Sequence, residues 1–195
     1  SINNQEYTYV QNTQNYTFTR LQSDQSYQIK VIAVDNAGNE QSANVLYANT
    51  DKMPDPGSNI VITKTPDYPT WTRSVQVTMK STAGSNFILQ YSTDNQSWIQ
   101  YTDNGITITE NNKRVYARLY DPNSKEATSS IDTQITNIDT LSPNVFTPTV
   151  SASTATTITV RVNGVTDQAE TAISGCSGIR GYKYSKDNGK TWTAE

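Results

Sequence analysis

A chain of 195 residues with 34% hydrophobic content can bury one ordinary core or two small ones, and two or more small modules are expected. Charged residues reach only 17%, the net charge is -3 and no Lys or Arg run stands out, which excludes the electrostatic footprint of a nucleic-acid binder. There is no His to act as general base or metal ligand, Cys176 has no second cysteine to pair with, and no apolar run approaches the ~18 residues of a membrane span.

The polar content is Ser, Thr, Asn and Gln, and twelve Tyr stand against two Met, a balance suited to half-exposed strands. The expected class is all-β. Tyr7 and Tyr9 alternate in a polar opening, then Tyr16, Phe18 and Leu21 alternate again. After a Gln-Ser-Asp-Gln-Ser corner, the run from Tyr27 to Asp35 sets Tyr27, Ile29, Val31 and Ala33 on one face. Asp35-Asn36-Ala37-Gly38-Asn39-Glu40 is turn chemistry, and Asn44 to Ala48 reads as the returning strand.

Leu21, the five-residue corner, Tyr27 and the alternating strand ending in Asp-Asn-Ala-Gly-Asn resemble the second half of a bacterial fibronectin type III domain, over about residues 14 to 50. The resemblance implies a tyrosine corner, in which the Tyr27 hydroxyl bonds back to nearby backbone.

Residues 51–58, rich in Asp, Pro and Gly, read as a linker. A new module is expected at 59–137, with strands at 60–62, 74–79, 87–91, 97–101, 106–109, 114–120 and 130–135 separated by Gly, Asn, Asp and Pro turns. Short strands with turns every ~8 to 12 residues read as a β-sandwich, and this stretch resembles the bacterial Ig-like repeats of large surface proteins. A second linker, 138–143, echoes the first. In 144–195 the alternating run Thr157 to Val162 and a tight hairpin over Gly181 to Glu195 resemble the opening strands of another type III-like domain.

Lacking an initiator Met and a leader, the chain is expected to be an internal piece of something longer. Written head to tail, 144–195 followed by 1–50 gives about 100 residues, the length of one such sandwich. The expectation is therefore tandem immunoglobulin-like and fibronectin type III-like β-sandwiches. Residues 1–50 form a C-terminal half and 144–195 an N-terminal half that the next repeat or copy completes.

Ser185-Lys-Asp187-Asn-Gly189-Lys-Thr191-Trp192 also fits the Asp-box found on sialidase propellers, and Ser92 to Trp98 echoes it with Gln96 in place of the Gly. The motif is structural: Asp187 accepts turn amides, Gly189 takes positive φ and Trp192 packs beneath. Two copies do not support a propeller of several blades. Leu21, Tyr27, Trp98, Trp192, Asp187 and Gly189 are accordingly assigned structural roles. Trp71 is a candidate for stacking on a glycan, against the favoured reading that it covers a sheet end near Pro66 and Pro69. Asp35, Asp51, Asp55, Asp121 and Asp139 could clip calcium between modules, but without an EF-hand spacing ordinary turn and linker roles are favoured and no cofactor is expected.

No paired carboxylates or phosphate-binding loop occur in a suitable context, so no catalysis is expected. The resemblance implies a structural repeat unit of an extracellular bacterial fibre, stalk or adhesin at the cell surface, joined end to end with neighbouring copies or repeats. The alternatives are carbohydrate-binding accessory modules of a secreted glycosidase, with glycans as partners, or a phage tail or virion decoration protein. Neither nucleic acid nor direct membrane insertion is expected.

Overall fold

The computed structural model describes residues 14–169 and 175–193. The alternation expected at Tyr7 and Tyr9 and the join between Glu195 and Ser1 lie outside the described residues. What is described is an all-β chain in several small antiparallel sheets, with one short helix. It divides into two compact units, each drawn from separated stretches. One takes the described residues through Ile62 with Met79–Asn104 and Val115–Thr133; the other takes Thr63–Thr78, Gly105–Arg114 and the described residues from Gln134 onward.

The first unit begins with a long irregular hairpin. β1 (Ser26–Ile29) pairs with β4 (Leu46–Asn49), and β2 (Ile32–Val34) pairs with β3 (Glu40–Ser42). Ala43 N–H donates to the Val31 carbonyl at 2.8 Å and links the two ladders. Asp35 closes the tip, its carboxylate accepting from the Ala37 and Asn39 amides and the Asn39 side chain. Those bonds, led by the one from the Asn39 side chain, hold its pKa below the usual value. Tyr16 and Phe18, which alternate like a strand, form none; their rings meet edge to face at 4.9 Å.

Pro56–Asn59 forms α1, a single helical turn inside the first linker. Asp55 caps it by accepting from the Gly57 and Ser58 amides and the Ser58 hydroxyl. Asp followed by Pro is an N-cap and first-turn pair, so local chemistry specifies a helical turn within the stretch expected as a linker.

β5 (Ile60–Thr65), β6 (Val75–Ser81) and β9 (Ile106–Ile108) form a three-stranded sheet in that order. The second sheet of this stretch is ordered β11 (Glu126–Ala127), β10 (Arg114–Asp121), β7 (Ile88–Ser92), β8 (Ile99–Gln100), with β12 (Ile131–Gln134) also on β10. Strict alternation decides what each strand buries: Val75, Val77 and Met79 on β6, and Val115, Ala117 and Leu119 on β10. Ile60, Ile108, Ile135 and Ile138 complete the buried apolar set among the described residues.

In the second unit the polar loop after Pro66 is fastened by buried Asn137, whose side-chain amide donates to the Pro66 and Thr70 carbonyls at 3.1 and 2.7 Å. β13 (Thr149–Ser153) and β14 (Ile158–Arg161) form the last hairpin, with a bulge between Val150 and Ala152. The stretch from Gly181 to Thr193, expected as a hairpin, forms its turn but no ladder. Thr193 N–H donates to the Tyr184 carbonyl at 2.9 Å, while Tyr184 N–H donates to the Thr193 hydroxyl instead of a carbonyl. A hydroxyl that captures the return bond stops the ladder from extending.

Candidate functional site

The structurally specified points are a corner, two tethers and a pair of turns. At the corner Tyr27 leaves the Gln-Ser-Asp-Gln-Ser stretch at the start of β1, and its hydroxyl accepts from the Gln22 N–H, 2.8 Å away and five residues upstream. Leu21 beside it is half-buried. Asp24 N–H donates to the Asp51 carbonyl and Thr50 N–H to the Gln25 carbonyl, so the corner and the start of the first linker are tied together.

Two carboxylates, Glu126 on β11 and Asp139 in the second linker, each accept a backbone amide from far along the chain. Glu126 Oε2 accepts from Ser23 N–H at 2.8 Å, a separation of 103 residues. That bond is the main cause of its lowered pKa. Asp139 Oδ2 accepts from Ser177 N–H at 2.7 Å, and its Oδ1 from Leu141 N–H. Burial pushes the Asp139 carboxyl up, yet the Ser177 and Leu141 bonds together hold it below the usual value. Asp167 adds a second clamp on the same loop, accepting from Ser177 Oγ and Gly178 N–H. Cys176, immediately before Ser177, is half-buried.

The two Ser-x-Asp turns are built alike. Ser92 Oγ donates to Asp94 Oδ1, which also accepts from the Gln96 and Ser97 amides. Ser185 Oγ donates to Asp187 Oδ1, which accepts from Thr191 N–H, while Thr191 Oγ1 donates to Oδ2. Asn188 and Gly189 both have positive φ, at 58° and 81°, whereas in the shorter turn Asn95 at 58° is the left-handed residue. Hydrogen bonds to the ionised form, from Thr191 first, lower the Asp187 pKa to about 2; Asp94 is lowered as well, with the Ser92 bond leading.

No family model, curated protein or solved structure matches the chain.

The three tryptophans have three different settings. The Arg118 guanidinium lies 4.1 Å over the Trp98 ring, while its Nε donates to Gln90 across the strand pair. A stacked cation covers an aromatic face that would otherwise meet water. Trp71 is half-buried, its six-membered ring so close to Gly175 that an added Cβ there would lie 3.2 Å away. Trp192 is 59% exposed and lies over Gly189.

The acidic candidates are dispersed rather than convergent. Asp35 and Asp55 cap their own turn and helix, Asp121 accepts from Asn123 N–H and Ser124 Oγ, and Asp139 holds Ser177. Asp51 contributes its main-chain carbonyl to the corner. Among the described residues no group of three or more His, Cys, Asp or Glu side chains could hold a metal ion. A shallow open cavity of about 350 Å³ beside the corner is lined by Leu21, Ser23, Met53, Phe87 and Asp121 among others. The residues that the sequence reading does not single out are Glu126, Asp167 and Asn137, since their side chains bond to residues 10 to 103 positions away and no local pattern marks them.

Proposed function

We propose that the chain is a structural repeat unit of an extracellular bacterial fibre, stalk or adhesin, acting as a spacer without catalysis. It is organised as an Ig-like sandwich at 59–137 between two fibronectin type III-like halves, at 1–50 and 144–195. The observation that carries this reading is the pair of long-range tethers: Ser23 to Glu126 holds the corner that bonds the start of the first linker, and Ser177 to Asp139 holds a residue of the second linker. A spacer gains reach from stiff junctions, whereas a flexible linker would leave its modules free to swivel. The Tyr27 corner and the alternation of buried residues on β6 and β10 support the sandwich assignments. No helix among the described residues is long and apolar enough to cross a membrane.

Immunogold electron microscopy of unpermeabilised source cells, with antibodies raised against the chain, tests the reading. Gold along surface fibres or stalks is expected; label confined to the cell interior would overturn it. The exposed rings of Tyr184 and Trp192 favour carbohydrate binding as the second reading. A glycan array on which the chain binds sugars, and the Trp192→Ala variant does not, would put that reading first.

A further inference from the structure

Two different sheet faces of the chain carry exposed apolar residues, the β1–β4 face on its β4 side, with Tyr27 and Ile29 half-buried beside them. In the β13–β14 pair Val150 stands opposite Val160, and Ile158, two residues away on the same strand, shares their side. These three are 66%, 42% and 71% exposed. In the β1–β4 pair Tyr27 stands opposite Ala48 and Ile29 opposite Leu46, and Leu46 is 56% exposed. Two-stranded ribbons are marginal alone and need further strands or a covered apolar face. Contiguous exposed apolar surface marks an interaction site.

We propose that the Val150–Ile158–Val160 face of one copy docks on the Ile29–Leu46 face of a second copy, closing a two-sheet sandwich between chains. This rests on the sandwich reading above and names the partner that completes its halves. Three observations favour a second copy as the occupant. Each face is an antiparallel ribbon with branched aliphatic residues on one side, the form that packs sheet to sheet at ~10 Å. The contributing segments have opposite net charge: 14–50 carries Arg20 and Lys30 against Asp24, Asp35 and Glu40, whereas in 144–193 five Lys and Arg outnumber Asp167, Glu170 and Asp187. Their summed length is about that of one sandwich. Because the two faces differ, the contact is heterologous, and a heterologous contact that does not close into a ring propagates as a filament.

Sedimentation velocity of the full chain over rising concentration tests this. Wild type is expected to form species larger than a dimer. Ile158→Glu and Leu46→Glu are each expected to stay monomeric until about tenfold higher concentration or beyond, with melting unchanged because both positions are exposed. An equimolar mixture of the two variants retains one competent pair of faces and is expected to stop at the dimer. A wild type that is monomeric throughout, single variants that assemble like wild type, or a mixture that stays monomeric would each overturn the proposal. Surface-fibre label with a monomeric wild type removes the docking and leaves the spacer reading; assembly with label confined to the interior does the reverse.

Discussion

β10 and β14 obey the same rule and meet opposite ends. On β10 every second residue, Val115, Ala117 and Leu119, is fully buried; on β14 Ile158 and Val160 keep the same spacing and face water. Apart from Pro56, the buried apolar residues of the described chain fall from Ile60 to Ile138, while 14–50 and 144–193 show most of the large exposed ones. Alternation therefore specifies that a strand has an apolar side, and the presence of a second layer specifies whether that side is dry. The two Ser-x-Asp turns repeat the contrast. Ser92 is buried and Trp98 lies under Arg118, whereas Ser185 is half-buried and Trp192 is open.

The sharpest way to break the comparison is to remove the same side chain from both regions. Leu119→Ala should cost about 3 kcal/mol by denaturant unfolding, because it opens a cavity in a fully buried site. Leu46→Ala at an exposed position should cost no more than about 0.5 kcal/mol at concentrations where the chain is monomeric. Comparable losses would mean that the flank is as well packed as the centre. Next in size, Asn137→Ala strips the Pro66 and Thr70 carbonyls of their donor and should cost about 1–3 kcal/mol, read in the same unfolding assay.

Tyr27→Phe tests a flank from within. Losing the hydroxyl acceptor should cost about 1 kcal/mol and speed hydrogen exchange at the Gln22 amide several-fold, with β6 and β10 amides unaffected. The smallest effect concerns Asp187. Its folded pKa of about 2 lies below the ordinary 3.8, so the turn's bonds to the carboxylate are intact above the unfolded value. They weaken as pH falls from about 4 through 2. Carboxyl NMR titration should place the Asp187 midpoint near 2 and move the Thr191 amide with it; an ordinary midpoint would show the turn open in solution.

Much of this was legible along the chain. The strands expected at 60–62, 74–79, 106–109 and 114–120 appear at Ile60–Thr65, Val75–Ser81, Ile106–Ile108 and Arg114–Asp121, since period-two alternation and Gly, Asn and Asp turns are local signals. The Tyr27 corner was readable because its partner is five residues away. Alternation misled at Tyr16 and Phe18, which pair with no strand among the described residues, and at Tyr184, where a threonine hydroxyl takes the bond.

By itself, then, the sequence determined the all-β class, the sides of the strands and the chemistry of the turns, because all three depend on residues within a few positions of one another. Only the tertiary structure decided which apolar sides are covered and which carboxylates tie distant stretches together. Glu126 finds Ser23 across 103 residues and Asp139 finds Ser177 across 38. Such pairings are chosen by where packed sheets bring the chain back, and no local pattern records them.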